Sequence, residues 1–266
     1  MEIQVGPCSR GHSHPPTTHW IMEITGVSRF SFHGDEQHSM HMGVDAYLAG
    51  RSLADIVWNA GWEGSQEVRT ERLWDLLRPC YDHIDRPAKI ATLRTSMFLR
   101  PHSWACLHGH AMETHHLLLA LPRLLRMVHT GSAYEDIRLR ACDDLVALHE
   151  VYAHGGIHLS VGESAQALDL ADDFLLCNNY LLKEAVRRGD MLYPIMTKHH
   201  HTWHIADMSR YQNPRWTACF EFEDFMGKIK RCAQASLAGS SLARIGSKVM
   251  EHFVMSLHLR MHDFVP

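Results

Sequence analysis

The stretch Ser160–Gly189, SVGESAQALDLADDFLLCNNYLLKEAVRRG, decides the fold class. Ser160 and Gly162 introduce it, and Leu168, Ala171, Leu175, Asn178 and Leu182 recur at three- and four-residue steps, the period of one helix face. Arg187 and Arg188 occupy the last turn, where cations oppose the helix dipole, and Gly189 supplies the stop. The spacing therefore predicts a long helix over 163–188 with one apolar stripe that needs partners.

The same grammar extends in both directions. Upstream, a periodic run over 134–154 ends at Gly155-Gly156, and a strongly apolar run covers 110–129. Ser65 precedes a run of Val68, Leu73, Leu76, Leu77 and Tyr81, with Pro79 as a point of kinking. Pro87 reads as a helix start leading through Ile90, Leu93 and Met97. From His38, Met40, Val44, Tyr47 and Leu48 follow helical steps, although Gly43 and Gly50 argue against an unbroken helix. Downstream, helices are expected from Thr197 or Lys198, over 223–237 and over 241–261. Strand character is confined to Ile21–Ile24, Arg29–Phe32 and Trp216–Phe222. The expectation is a mainly α, multi-helix domain over 30–266 with about nine helices and at most a few short strands, preceded by a loosely structured tail over 1–29.

Bulk composition narrows the function classes. The 266 residues are 45% hydrophobic and 21% charged, an ordinary globular balance. A net charge of −4 argues against a surface coated with phosphate-binding cations. Seven scattered cysteines without a CxxC pair read as reduced thiols, which suits the nucleus or cytoplasm. The N-terminus has neither the basic nor the apolar region of a secretory signal, and the most apolar stretch, 117–125, is too short to span a bilayer, so no membrane partner is expected. The abnormal figure is 23 histidines, nearly as many as the 26 lysines and arginines together. Histidine ligates metal and moves protons near neutral pH, whereas drift at tolerant positions is the bland alternative.

Four segments could carry chemistry. Asp35-Glu36-Gln37-His38 is a DxxH arrangement in which Asp35 could equally cap the helix that follows. In Lys198-His199-His200-His201-Thr202-Trp203-His204, His200 and His204 lie at i and i+4 and share a helix face, but His201 stands where a zincin HExxH needs its Glu. Glu221, Glu223 and Asp224 precede a basic helix bearing Lys228, Lys230 and Arg231, where carboxylates complement a helix N-terminus and the cations could touch phosphate. In His110-Ala111-Met112-Glu113-Thr114-His115-His116, a carboxylate interrupts an apolar helix among histidines. GxxxxGK[ST], GxSxG and GxGxxG are all missing, so no P-loop, Rossmann or nucleophile-elbow chemistry, and no small-molecule cofactor, is expected.

The order of these segments resembles the C-terminal part of CACTA-type (En/Spm-like) transposases. Asp35-x-x-His38 before Met42-Gly43-Val44 is similar to their "D-x-M-H" segment, His200-x-x-x-His204-Ile205 to their "HxxxHL" element, and Phe222-Glu223-Asp224-Phe225-Met226-Gly227-Lys228-Ile229-Lys230 to their "FERYMGxLK" block. The chain also looks like transposon-derived open reading frames of protist genomes. The resemblance implies an RNase H-like nuclease fold with a helical insertion, DNA as partner, homo-oligomerisation as an option, and Mg²⁺ or Mn²⁺ held by acidic residues. It places Glu223 at the final acidic, metal-binding position and gives Asp35 and His38 a supporting catalytic role. Lys198, Lys228, Lys230 and Arg231 are the nucleic-acid candidates. Because no apolar strand bearing a central Asp precedes Asp35, and Asp224 replaces the Arg of the family block, the expectation is a catalytically incomplete, transposon-derived chain.

Two other classes compete with this. One is a histidine-rich metal-binding helical protein, with His200 and His204 joined by Glu113 or Glu223 and zinc, nickel or iron bound. The other is an inert helical interaction module in which all these residues are structural.

Overall fold

A computed structural model describes residues 34–84, 88–237 and 242–262. Among these the protein is mainly helical, with eight α-helices and no strand. They are α1 (Asp45–Asn59), α2 (Gln66–Tyr81), α3 (Ala111–Met127), α4 (Ala133–His154), α5 (Val161–Arg188), α6 (Thr197–Met208), α7 (Phe220–Leu237) and α8 (Leu242–His262). A π-helical segment, Gln37–Val44, runs directly into α1, and Gly43 carries the kink at the junction (φ −124°, ψ −105°). No helix among the described residues is long and apolar enough to cross a membrane.

Local chemistry sets most helix ends. Ser65 accepts a hydrogen bond from the Val68 amide at the start of α2. Ser132 with Glu135, and Ser160 with Glu163, form reciprocal capping boxes on α4 and α5. Gly189 closes α5 in the left-handed region (φ 80°), as the sequence indicates. The long stripe of α5 buries Ala167, Ala171, Phe174, Asn178 and Leu181, mostly against α4. α4 also meets α3, and α3 meets α1, α2 and the π-helical segment, so the core lies between α1, α3, α4 and α5. α7 and α8 pack against each other.

Gly50 is one position where a side chain has no room. A Cβ there would lie 2.3 Å from the Leu107 amide nitrogen and 2.4 Å from the Cys106 carbonyl carbon, both backbone atoms. The 105–107 segment presses onto α1 at this point, with the Leu107 amide donating to the Ala46 carbonyl at 2.8 Å.

Three expectations are corrected. The helix expected from Pro87 is not formed: 88–94 is irregular and only Thr95–Met97 makes a 3₁₀ turn. His116 Nδ1 of α3 meets the Ala88 carbonyl at 2.5 Å, and Lys89 Nζ donates to the Tyr81 carbonyl at the end of α2, so the segment is tied to both helices through side chains instead. The strand expected over Trp216–Phe222 is replaced by a 3₁₀ turn, Pro214–Thr217, capped by Asn213, followed by the start of α7 at Phe220. The helix count accordingly falls from nine to eight among the described residues. The tail over 1–29 and the strands Ile21–Ile24 and Arg29–Phe32 lie outside the described residues.

Candidate metal centre

Four side chains from four elements converge beneath the π-helical segment. That segment supplies His41, and Asp45 follows at i+4 on the first turn of α1, so both point the same way. α3 contributes His115 and α4 contributes His149. One ligand atom from each of the four lies within 4.8 Å of the others. The three imidazoles form a nearly equilateral triangle, with ring centroids 4.5 Å (His41–His115), 4.8 Å (His41–His149) and 4.8 Å (His115–His149) apart.

All three rings aim a nitrogen at the same carboxylate oxygen. Asp45 Oδ2 lies 3.0 Å from His41 Nδ1, 2.9 Å from His149 Nε2 and 3.9 Å from His115 Nδ1. Behind His149, Glu36 Oε1 stands 3.6 Å from Nδ1, so this ring bridges two carboxylates. The set is closed: Asp45 is fully buried, His41, His149 and Glu36 nearly so, and only His115, with 17% of its side chain exposed, borders solvent.

The electrostatics are those of an anion holding a cation in a dry place. Burial favours the neutral acid at Asp45, but the charge of His149 and the polar contacts of the three surrounding histidines outweigh it and hold the carboxyl well below its usual range. Burial works against the charged form of His149, yet the neighbouring Asp45 carboxylate and the Glu36 contact lift it to about 10. Burial pushes His115 down to about 4, against the pull of Asp45, so it stays neutral at pH 7. Its Nδ1 is buried without a hydrogen-bond partner among the described residues. In the tautomer that leaves Nδ1 unprotonated, this nitrogen could serve as a metal donor facing two other imidazoles and a carboxylate.

Distances agree with that chemistry. Tetrahedral ligands at about 2.1 Å from a divalent ion stand about 3.4 Å apart, which the 2.9–3.9 Å spacings around Asp45 bracket. The two carboxylates, Asp45 and Glu36, balance the charge of a divalent ion once His149 gives up its proton. Imidazole with carboxylate suits zinc, iron, nickel and manganese.

The sequence-derived candidates fall elsewhere. Asp35 and His38 are brought together through His38 Nδ1 and Asp35 Oδ2. Asp35 also accepts from the Gln37 amide at 3.0 Å, a turn-forming role at the helix entry, and from the Cys219 amide at 3.2 Å. Asp35, His38 and Cys219 thus make a second, more open group whose ligand atoms lie within 4.8 Å of one another. Burial raises the Asp35 carboxyl, but bonds from His38 and Cys219 leave it lowered overall. His200 and His204 do share a face, and their Nε2 atoms are 2.9 Å apart. Among the described residues no third histidine, cysteine or carboxylate joins them in a ligand set. Glu113 does not join them: its carboxylate accepts from the His110 amide as the capping box of α3. Glu223 lies in the first turn of α7 and its side chain is outside the described set. Lys198 Nζ donates to the Met42 carbonyl at 2.8 Å, Lys228 is half-buried, and Lys230 and Arg231 are exposed.

Sequence reading passed over His41, Asp45 and His149. The i, i+4 pair His41–Asp45 was a usable signal, and His115 lay inside a segment already singled out. His149 carried none, because only the packing of α4 on α3 aims it. No family model matches the chain, and no curated protein or solved structure matches it either.

Proposed function

We propose that this protein is a metal-binding helical protein that holds one divalent transition-metal ion between His41, Asp45, His115 and His149. The triangle of imidazoles around the Asp45 carboxylate carries this reading. All-protein, nearly solvent-free ligand sets belong to structural rather than catalytic sites, which keep a position open. The ion ties the π-helical segment and α1 to α3 and α4, and its binding energy is folding energy. Glu36 Oε1, 3.6 Å from Nδ1, favours a proton on that nitrogen and so leaves Nε2 for the ion.

The test is metal content after dialysis, with variants that separate the two histidine groups. About one ion per chain is expected in the wild type and in His200→Ala/His204→Ala, with loss in His115→Ala and in His149→Ala. A stoichiometry near zero in the wild type, or loss in the His200/His204 variant alone, removes this reading.

A second reading, a transposon-derived remnant of an RNase H-like fold, is favoured by one contact. The Cys219 amide on Asp35 draws the DxxH segment to the residues just before the Glu223 block, as a shared ancestral site would require. In this reading DNA is the partner and Mg²⁺ or Mn²⁺ the cofactor, while the chain alone lacks cleavage activity. Metal-dependent DNA cleavage by the purified chain would overturn the incomplete-enzyme reading, and lack of any DNA binding would remove the DNA-partner reading altogether.

A further inference from the structure

Outside the closed histidine centre, a second set of metal donors lies where the chain enters the π-helical segment. Asp35, His38 and Cys219 each offer one ligand atom, and these atoms lie within 4.8 Å of one another. Asp35 and His38 stand three residues apart and meet through His38 Nδ1 and Asp35 Oδ2. Cys219 comes from 184 positions further along the chain than Asp35, directly before Phe220, the first residue of α7. Its place beside them is a product of the fold and not of local spacing.

The Asp35 carboxylate is held in one orientation. Its Oδ1 accepts from the Gln37 amide at 3.0 Å and from the Cys219 amide at 3.2 Å. Its Oδ2 is thereby turned toward His38 Nδ1. The two amides act as outer partners do around a metal ligand, fixing the group so that one oxygen is presented. The Cys219 amide also brings its own thiol against the same carboxylate. Exposure separates this group from the first: the Asp35 and His38 side chains are 23% and 47% exposed, and Cys219 is half-buried.

Three protein donors with one side facing solvent match the open kind of zinc site, which keeps a position for water. The donor chemistry also selects the ion. Sulfur, imidazole and carboxylate together suit zinc, whereas Mg²⁺ takes oxygen ligands and is poorly served by a thiolate. We propose that Asp35, His38 and Cys219 bind a second, exchangeable zinc ion whose outward position is taken by water. On binding, the Cys219 thiol gives its proton to solvent and sulfur bonds the ion in its place. The ion joins the entry of the π-helical segment to the start of α7. Its donors are none of His41, Asp45, His115 and His149, so the site stands whether or not that centre holds metal.

The experiment uses the full chain, kept reduced with a phosphine, dialysed against excess Co²⁺ and then freed of unbound ion by gel filtration. Cobalt bound to sulfur gives a thiolate-to-metal absorption in the near ultraviolet that the four-residue centre, having no thiol, cannot produce. Expected are this band in the wild type and in His115→Ala, its loss in Cys219→Ser, and its bleaching by Zn²⁺. No band in the wild type, or an equal band in Cys219→Ser, would overturn the proposal. A second measurement needs no variant: Zn²⁺ should protect Cys219 of the wild type from iodoacetamide, read by peptide mass spectrometry, and leave labelling of Cys232 unchanged. Labelling of Cys219 that Zn²⁺ does not slow refutes the site even if Cys219→Ser does not fold. The two centres fail separately, because a band lost only in Cys219→Ser supports this site whatever the metal content of His115→Ala.

Discussion

Glu36→Gln isolates the outer carboxylate of the metal centre without changing its size. Glu36 is 4% exposed, and its Oε1 lies 3.6 Å from His149 Nδ1, on the side of the ring away from Asp45. With His149 charged, as it is before it gives up its proton to an ion, two unit charges at that distance attract by ~5 kcal/mol at an effective dielectric of about 20, an upper bound that desolvation of a buried carboxylate largely offsets. The net effect of outer partners of ligating histidines is typically about 10–100-fold in metal affinity, or ~1.4–2.7 kcal/mol. The amide oxygen of Gln can still accept from Nδ1–H, so loss of charge rather than loss of the bond is being measured. Zinc affinity would be read by competition against a chromophoric chelator at neutral pH, with Glu150→Gln, exposed and adjacent to His149, as the control. Glu36→Gln should weaken binding about 10–100-fold and Glu150→Gln should not. Equal affinities for wild type and Glu36→Gln, within about twofold, would refute the assignment of Glu36 as the group that orients and polarises His149.

Asp55→Ala leaves Arg138, 4% exposed, without its main carboxylate and should cost about 3–5 kcal/mol, a fall in Tm of roughly 10 °C. A urea-melt loss under about 1 kcal/mol would contradict that pairing. Glu135 carries a second, pH-dependent contribution. Burial raises its pKa, but the bonds from Thr130 and Ser132 win and bring it from 4.5 to about 2. The folded state therefore favours the carboxylate, and this stability is complete above about pH 4.5 and lost as pH falls towards 2. Glu135→Gln should flatten the acid limb of the stability curve between those values, and an unchanged slope would count against the capping box as its origin. Gly50→Ala would drive a methyl into the Cys106–Leu107 backbone and should destabilise by about 1–3 kcal/mol, measured by the same melts.

Legibility in the sequence followed the range of the forces involved. The ends of α5 are legible, since Ser160 and Gly189 act within a few residues of the helix they define, whereas the buried stripe runs through Ala167, Phe174 and Leu181, one residue before the half-buried Leu168, Leu175 and Leu182. The 88–97 segment was misread because Ile90, Leu93 and Met97 keep helical spacing while an irregular chain dips the first two into the core. What ties that chain down, Lys89 Nζ on the Tyr81 carbonyl and His116 on the Ala88 carbonyl, is tertiary and leaves no local mark. Pro214 after Asn213 is a turn signal strong enough to oppose a strand at 216–222, and the structure follows it with a 3₁₀ turn capped by Asn213. The candidate site divides the same way. His41–Asp45 is a local spacing one turn beyond the DxxH segment, whereas His149 joins Asp45 only through helix docking.

The Asp45–His149 contact spans 104 positions of sequence. On a ribosome, then, the four side chains come together only after α4 has emerged, and the segment that carries His41 gains its contact with α6, through Lys198 on the Met42 carbonyl, later still. Under the metal-binding reading proposed above, an ion present during synthesis would join α4 to α1 before α6 is made, so metal supply during synthesis would bear on the yield of assembled protein.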